Sequence, residues 1–112
     1  MGKKTIVTEY EGISIFSGAP AECWHHLIFG SGLRKLADED KLLIPLTNAE
    51  HNMSSSGLLY QIHENPTAEK LSKMLGQAIW EKEFYRNYNE TFRFEEDTAR
   101  KAFLKRYGNS YL

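Results

Sequence analysis

One cysteine, Cys23, is all the thiol this chain has. It can therefore form no internal disulfide and no site built from several thiolates, and so low a count fits a reducing compartment. No apolar run approaches the length that spans a bilayer. The opening Met1-Gly2-Lys3-Lys4 leads into Thr5-Ile6-Val7-Thr8-Glu9 and not into the core of a secretion signal. A myristoylated Gly2 would want Ser or Thr at position 6, where Ile6 stands. A cytoplasmic protein with no membrane partner is expected. Charge of one sign is also missing: the formal net charge is −1. No global basic field announces a nucleic-acid binder, so any such contact has to come from a local patch. Repeats, linkers and low-complexity segments are absent. The 112 residues make one domain, 1–112, able to bury a modest core.

What is present reads as an α+β chain with a β-rich front and a helical back. Residues 4–9 and 11–16 carry β-branched and aromatic side chains and are expected as short strands. Ser17-Gly18-Ala19-Pro20 marks a turn. Residues 22–28 are expected as a third strand, ended by Gly30-Ser31-Gly32. Leu33 to Asp40 suits one or two helical turns. The apolar run Leu42-Leu43-Ile44-Pro45-Leu46 is expected as a buried or edge strand, because Pro45 has no N–H for a ladder. Thr47 with Glu50 three residues on is a capping-box pattern, so a short helix from about 48 to 54 is expected, closed by Ser54-Ser55-Ser56-Gly57.

Asn65-Pro66 is a cap followed by proline at the first helical position. Ala68, Leu71, Leu75, Ala78 and Ile79 then fall on one helical face. A second helix is expected over 92–107, with Phe92, Ala99, Ala102 and Phe103 on its apolar face, Tyr107 at the edge and Gly108 as C-cap. Lys101, Lys105 and Arg106 read as that helix's solvated side.

The four histidines carry the chemistry: His25, His26, His51 and His63. Two are adjacent at the end of an expected strand, where neighbouring side chains point to opposite faces. Such a pair can divide two tasks, one imidazole holding a metal and the other facing substrate. His51 falls on the short helix after the next strand. Strand, loop, strand and helix with histidines at both ends suit a compact one-metal hydrolytic site. On composition alone a His-His pair is more often structural than catalytic. Cys23 and Trp24 read as core residues, and Arg34 and Lys35 as either a solvated face or a phosphate clamp.

The segment Ser14-Ile15-Phe16-Ser17-Gly18-Ala19-Pro20-Ala21-Glu22-Cys23-Trp24-His25-His26-Leu27 resembles the HNH pattern C-x-x-C-G-x-P-x(4)-H-H-L, with serine at both cysteine positions. Ile44-Pro45-Leu46-Thr47-Asn48-Ala49-Glu50-His51-Asn52 resembles its partner segment, in which threonine and glutamate stand for further metal-binding residues. Gly30-Ser31-Gly32-Leu33-Arg34-Lys35 is similar to the Gly-rich basic loop of phage-encoded members, and Arg106 to Leu112 to the tail of small phage HNH-like proteins. Most of the chain is covered. The resemblance implies a ββα-metal (HNH-like) core over about 11–64, with N-terminal short strands and two C-terminal helices in 65–112.

It also implies roles. His25 matches the first metal ligand, His26 the general base that activates water against a phosphodiester, and His51 the ligand on the helix. A further ligand often comes four residues later, where Ser55 stands, so His63 is the remaining candidate. Arg34 and Lys35 would contact nucleic acid. The family's Asn that orients the base falls near Leu42, which cannot do the same work. The structural zinc positions are held by Ser14, Ser17, Thr47 and Glu50, and hydroxyls do not replace thiolates as zinc ligands. No structural zinc is therefore expected, the knuckle being held instead by hydrogen bonds and packing.

The function so implied is a metal-dependent endonuclease of phage or prophage type, acting on nucleic acid, DNA foremost, in a bacterial host's cytoplasm. It would use one divalent ion: zinc, manganese, nickel or magnesium. The alternatives are a catalytically inactive HNH-fold phage protein that binds or inhibits a host defence nuclease, and a virion assembly or packaging factor.

Overall fold

The computed structural model describes residues 4–53, 62–87 and 98–112. Its framework is a compact α+β arrangement in which a two-stranded antiparallel sheet packs among helices. Strand β1 is Cys23–His26 and β2 is Leu43–Leu46, and they pair with Cys23 opposite Leu46 and His26 opposite Leu43. Flanking bonds from Glu22 N–H to Leu46 O (2.9 Å) and from Leu27 N–H to Leu42 O (2.9 Å) lengthen the ladder at both ends. Pro45 sits inside β2 at little cost. Its carbonyl turns away from β1 and accepts from Ile15 N–H at 3.0 Å, so its missing donor would also have faced away from β1.

The expected strands at 4–9 and 11–16 do not form. Only an isolated bridge joins Ile13 to Pro20. Hydroxyls take over the backbone donors instead: Val7 N–H goes to Thr5 Oγ1, Tyr10 N–H to Thr8 Oγ1, and Phe16 and Ser17 N–H to Ser14 Oγ. Local side-chain bonds of this kind compete with strand ladders and fold the chain into turns. Thr5 is fully buried, and its hydroxyl donates to the Leu43 carbonyl, stapling the N-terminal segment to β2.

Helix α1, Leu33–Glu39, lies in the connection between β1 and β2. It starts from Gly32, whose φ of 79° only glycine adopts without strain, and Ala37 is its buried contact. The capping box at Thr47 is reciprocal: Thr47 N–H reaches Glu50 Oε1 at 2.9 Å, and Glu50 N–H reaches Thr47 Oγ1 at 3.3 Å. The turn it opens, Ala49–Met53, is π-helical, a form that recurs at functional positions.

Helix α2 is Pro66–Arg86, with Asn65 Oδ1 accepting from Ala68 N–H at 3.2 Å. Its buried face is Ser72, Gly76 and Gln77, not the expected leucine stripe; Leu71 and Leu75 are 58 % and 43 % exposed, and Ala78 is also exposed. The helix is set by what it must touch. At Gly76 an added Cβ would stand 2.7 Å from Ile28 Cγ1 and 3.1 Å from Leu27 Cβ, so glycine is what lets α2 lie against the residues that follow β1.

Helix α3, Thr98–Tyr107, buries Ala99, Phe103 and Tyr107 against α2. The rest of the helix expected over 92–107, Phe92 included, lies outside the described residues, as does the Ser54–Gly57 stop. Arg106 is not merely solvated. Asp40 Oδ2 accepts from Arg106 Nε (2.7 Å), Tyr107 O–H (2.7 Å) and Trp80 Nε1 (3.0 Å), which ties the end of α1 to both C-terminal helices. The core gathers Leu27, Ile28, Ala37, Leu42, Ile44 and Leu46 around Phe103.

Candidate metal centre

Three separate segments deliver His25, His51 and His63 to one place. His25 is in β1, its ring fully buried. His51 is on the π-helical turn. His63 is brought back to it by paired backbone bonds, Ile62 N–H to Glu50 O (3.0 Å) and His63 N–H to His51 O (3.1 Å). The ring centroids of His25 lie 5.1 Å from those of both His51 and His63, and those two are 4.6 Å apart. One nitrogen from each lies within 4.8 Å of the other two. The tightest pair is His51 Nε2 to His63 Nε2, at 3.0 Å. With metal–nitrogen bonds of about 2.0–2.1 Å, tetrahedral ligands sit roughly 3.3 Å apart. The closest pair already has that spacing, and the trio, spread over as much as 4.8 Å, would have to close in to share an ion.

The protonation of His25 can be read from its neighbours. Ser72 Oγ donates to Leu27 O at 2.7 Å, so its lone pair is what meets His25 Nε2 at 2.8 Å. His25 must then carry its proton on Nε2, and Nδ1 keeps a lone pair. That Nδ1 is buried and has no hydrogen-bond partner among the described residues. A buried acceptor without a partner is costly, and a metal ion would satisfy it. Near His63, Glu69 Oε2 stands 3.5 Å from Nδ1, the side on which a carboxylate can hold the proton, so that Nε2 carries the lone pair.

Electrostatics favours neutral rings. Burial, then the proximity of His51, His63, His26 and Arg34, holds the His25 pKa down to about 2. Burial, then His63, Arg34 and His26, holds His51 down to about 4. Both imidazoles are uncharged at neutral pH, the form that ligates metals. Phe29 closes the cluster from one side, its ring 5.5 Å from His25 and 4.7 Å from His63.

His26 faces the other way from His25, as strand alternation requires. It lines a cavity of about 250 Å³ with Trp24, Phe29, Arg34, His51 and His63. Trp24 is therefore part of this wall and only half-buried. The structure brings His26 and Arg34 to the histidine cluster; Lys35 is exposed and does not line the cavity. Cys23 is half-buried, with Sγ 3.6 Å from Leu46 O, and burial followed by Glu22 and Glu50 raises its thiol pKa.

A second polar cluster forms where the Ser14 turn meets the Thr47–Glu50 box after β2. Ser14, 2 % exposed, donates to Glu50 Oε1 at 2.5 Å, while that carboxylate also accepts Thr47 N–H. Burial pushes the Glu50 pKa up, but hydrogen bonds from Ser14, Thr47 N–H, Ser17 and the Thr47 hydroxyl outweigh it and bring it below the ordinary value. Ser14, Ser17, Thr47 and Glu50 thus hold one another.

Sequence reasoning passed over Ser72, Asp38 and Phe29. Ser72 had a faint signal: a small polar residue four before Gly76 is odd on a face expected to be apolar. Asp38 lies four residues after Arg34, on the same face of α1. No family profile, curated protein or solved structure matches the chain.

Proposed function

We propose that this chain is a metal-dependent endonuclease of the ββα-metal type, with His26 as general base and His25, His51 and His63 as the ligands of one divalent ion. The carrying observation is the convergence of three imidazoles, His25, His51 and His63, with His51 and His63 on the wall of a cavity that His26 and Arg34 also line. The order β1, α1, β2 and π-helical turn supports a ββα core with α1 in the strand connection. The bound ion would supply charge to offset that developing on the phosphate and leaving oxygen. Imidazole ligation favours zinc, manganese or nickel over magnesium. Arg34 would hold a phosphate oxygen, Phe29 would exclude water from one side of the ligands, and His26 would take the proton from attacking water. In this reading the Ser14–Ser17–Thr47–Glu50 knot does with hydrogen bonds what zinc does in relatives that keep thiolates.

Plasmid nicking across zinc, manganese, nickel and magnesium tests it. His26→Ala should lower cleavage about 10²–10⁴-fold, the usual contribution of a general base, while metal binding persists. His51→Ala should weaken metal affinity, with partial rescue by added metal. A wild-type chain inert on both DNA and RNA would reject the nuclease.

A second reading has its own observation. Ile15, Phe16, Leu71 and Leu75, all exposed, line an apolar groove with Ile44 and Ile62. Catalysis at the histidines has no need of this groove. An inactive HNH-fold protein that docks on a host defence nuclease would use such a surface. An activity in cells that survives His26→Ala would select this reading.

A further inference from the structure

His26 lacks the asparagine that the resemblance would place near Leu42, yet its ring does not hang free. Nε2 lies 3.3 Å from Asp38 Oδ1. Asp38 comes from α1, outside the strand and the π-helical turn that carry His25 and His51. One helical turn before it is Arg34, which lines the cavity. Residues at i and i+4 share a helix face, so α1 presents its Arg34–Asp38 face to the mouth of the site.

We infer that Asp38 is the positioning residue for His26, fixing the ring and its tautomer for base catalysis; this rests on the nuclease reading above. A carboxylate only accepts, so His26 must give it the Nε2 proton. The base lone pair is then on Nδ1. An aspartate does here, from a neighbouring helix, what a second carbonyl does elsewhere for histidine tautomers.

The placement is rigid for a reason. The C-terminal end of α1 is tied into the sheet by Leu42 N–H to Ala37 O at 2.9 Å, and Lys41 N–H closes on Asp38 O at 3.1 Å. Two residues on, Asp40 is fixed by Trp80, Arg106 and Tyr107. The Asp38 side chain is itself 64 % exposed. Removing it disturbs no core contact, so a loss of rate cannot be charged to misfolding.

The test compares Asp38→Ala and Asp38→Asn with wild type in steady-state cleavage, in metal affinity, and in the tautomer of His26 read by nitrogen NMR at about pH 8.5, where an ordinary imidazole is neutral. Wild type should show the Nε2–H form. Asp38→Ala should mix the tautomers and lower kcat about tenfold or more, within the roughly 10²–10⁴-fold that a base supplies, with KM and metal affinity unchanged. Asp38→Asn, whose amide oxygen accepts the same proton, should keep both the tautomer and most of the rate. An active enzyme in which Asp38→Ala matches wild type in kcat and tautomer overturns the positioning role and leaves the nuclease standing. So does an Asp38→Asn variant as impaired as Asp38→Ala, since orientation is then not what the carboxylate supplies. A chain inert with every metal overturns both.

Discussion

Ser72→Ala is the most informative single substitution around the candidate metal centre. Ser72 is 8 % exposed and its hydroxyl makes two bonds at once: it accepts from His25 Nε2–H at 2.8 Å and donates to Leu27 O at 2.7 Å. Alanine leaves a buried donor and a buried acceptor without that partner. Each such loss costs about 1–3 kcal/mol. The two share one oxygen and are not additive, so about 2–3 kcal/mol in total is expected. At this chain length each kcal/mol moves the melting point by about 4 °C, which gives a fall of roughly 8–12 °C. The second effect concerns the metal. Without Ser72 the His25 proton is no longer held on Nε2, and Nδ1 is no longer a preset lone pair. Loss of a group that orients a ligand typically costs about 10–100-fold in metal affinity. Calorimetry with zinc and thermal denaturation in chelator read the two effects separately. A variant that melts like wild type would refute the claim that both partners depend on this hydroxyl. One that is destabilised yet binds zinc as tightly would refute the tautomer argument alone.

Acid should weaken the fold in a defined window. His25 and His51 have folded pKa values below the ordinary 6.5. Above 6.5 neither state binds the proton and the groups contribute nothing. Below it the unfolded chain binds protons that the folded chain refuses, so stability falls with pH until about 4 for His51 and about 2 for His25. For buried His25 the loss between pH 7 and 5 is up to about 2 kcal/mol; the more exposed His51 adds less. Urea melts along this range check it, and a flat midpoint from pH 7 to 5 would contradict the burial argument. Glu50→Ala should destabilise by about 3 kcal/mol, because it strands the Ser14 hydroxyl and Thr47 N–H, both bonded to a charged acceptor. Glu50→Gln, which keeps an acceptor oxygen, should cost less than half as much; equal losses would mean that volume, not hydrogen bonding, matters at this position.

The parts of the fold that the sequence disclosed are those where local signals agree with tertiary demand. Asn65-Pro66 set the start of α2, and the Thr47–Glu50 box set the π-helical turn, because caps satisfy backbone groups within a few residues. The parts it concealed are those where a local bond or a distant contact wins. Thr5, Thr8 and Ser14 look like strand residues by type, but their hydroxyls capture nearby N–H groups and break the ladders before they form. Leu71 and Leu75 have the spacing of a core stripe. The helix nevertheless turns toward Ser72 and Gly76, because His25 needs a polar partner and Ile28 needs room.

The same contrast runs through the site. His25, His26 and His51 could be singled out because two motif segments place them on a strand end and a following turn. His63 could be named but not placed, since its approach depends on the backbone pairing of 62–63 with 50–51, which no spacing encodes. Asp38 and Ser72 were out of reach for a further reason. Each meets an imidazole Nε2, and which surroundings each ring finds follows from strand alternation: His25 turns inward to a buried hydroxyl, and His26 outward to an exposed carboxylate. Adjacent histidines thereby receive opposite environments from one backbone. Burial holds the inner ring neutral at neutral pH, and the outer ring sets its Nε2 against Asp38. The difference in surroundings between His25 and His26 is thus a consequence of β-strand geometry, made specific by the two helices that flank β1.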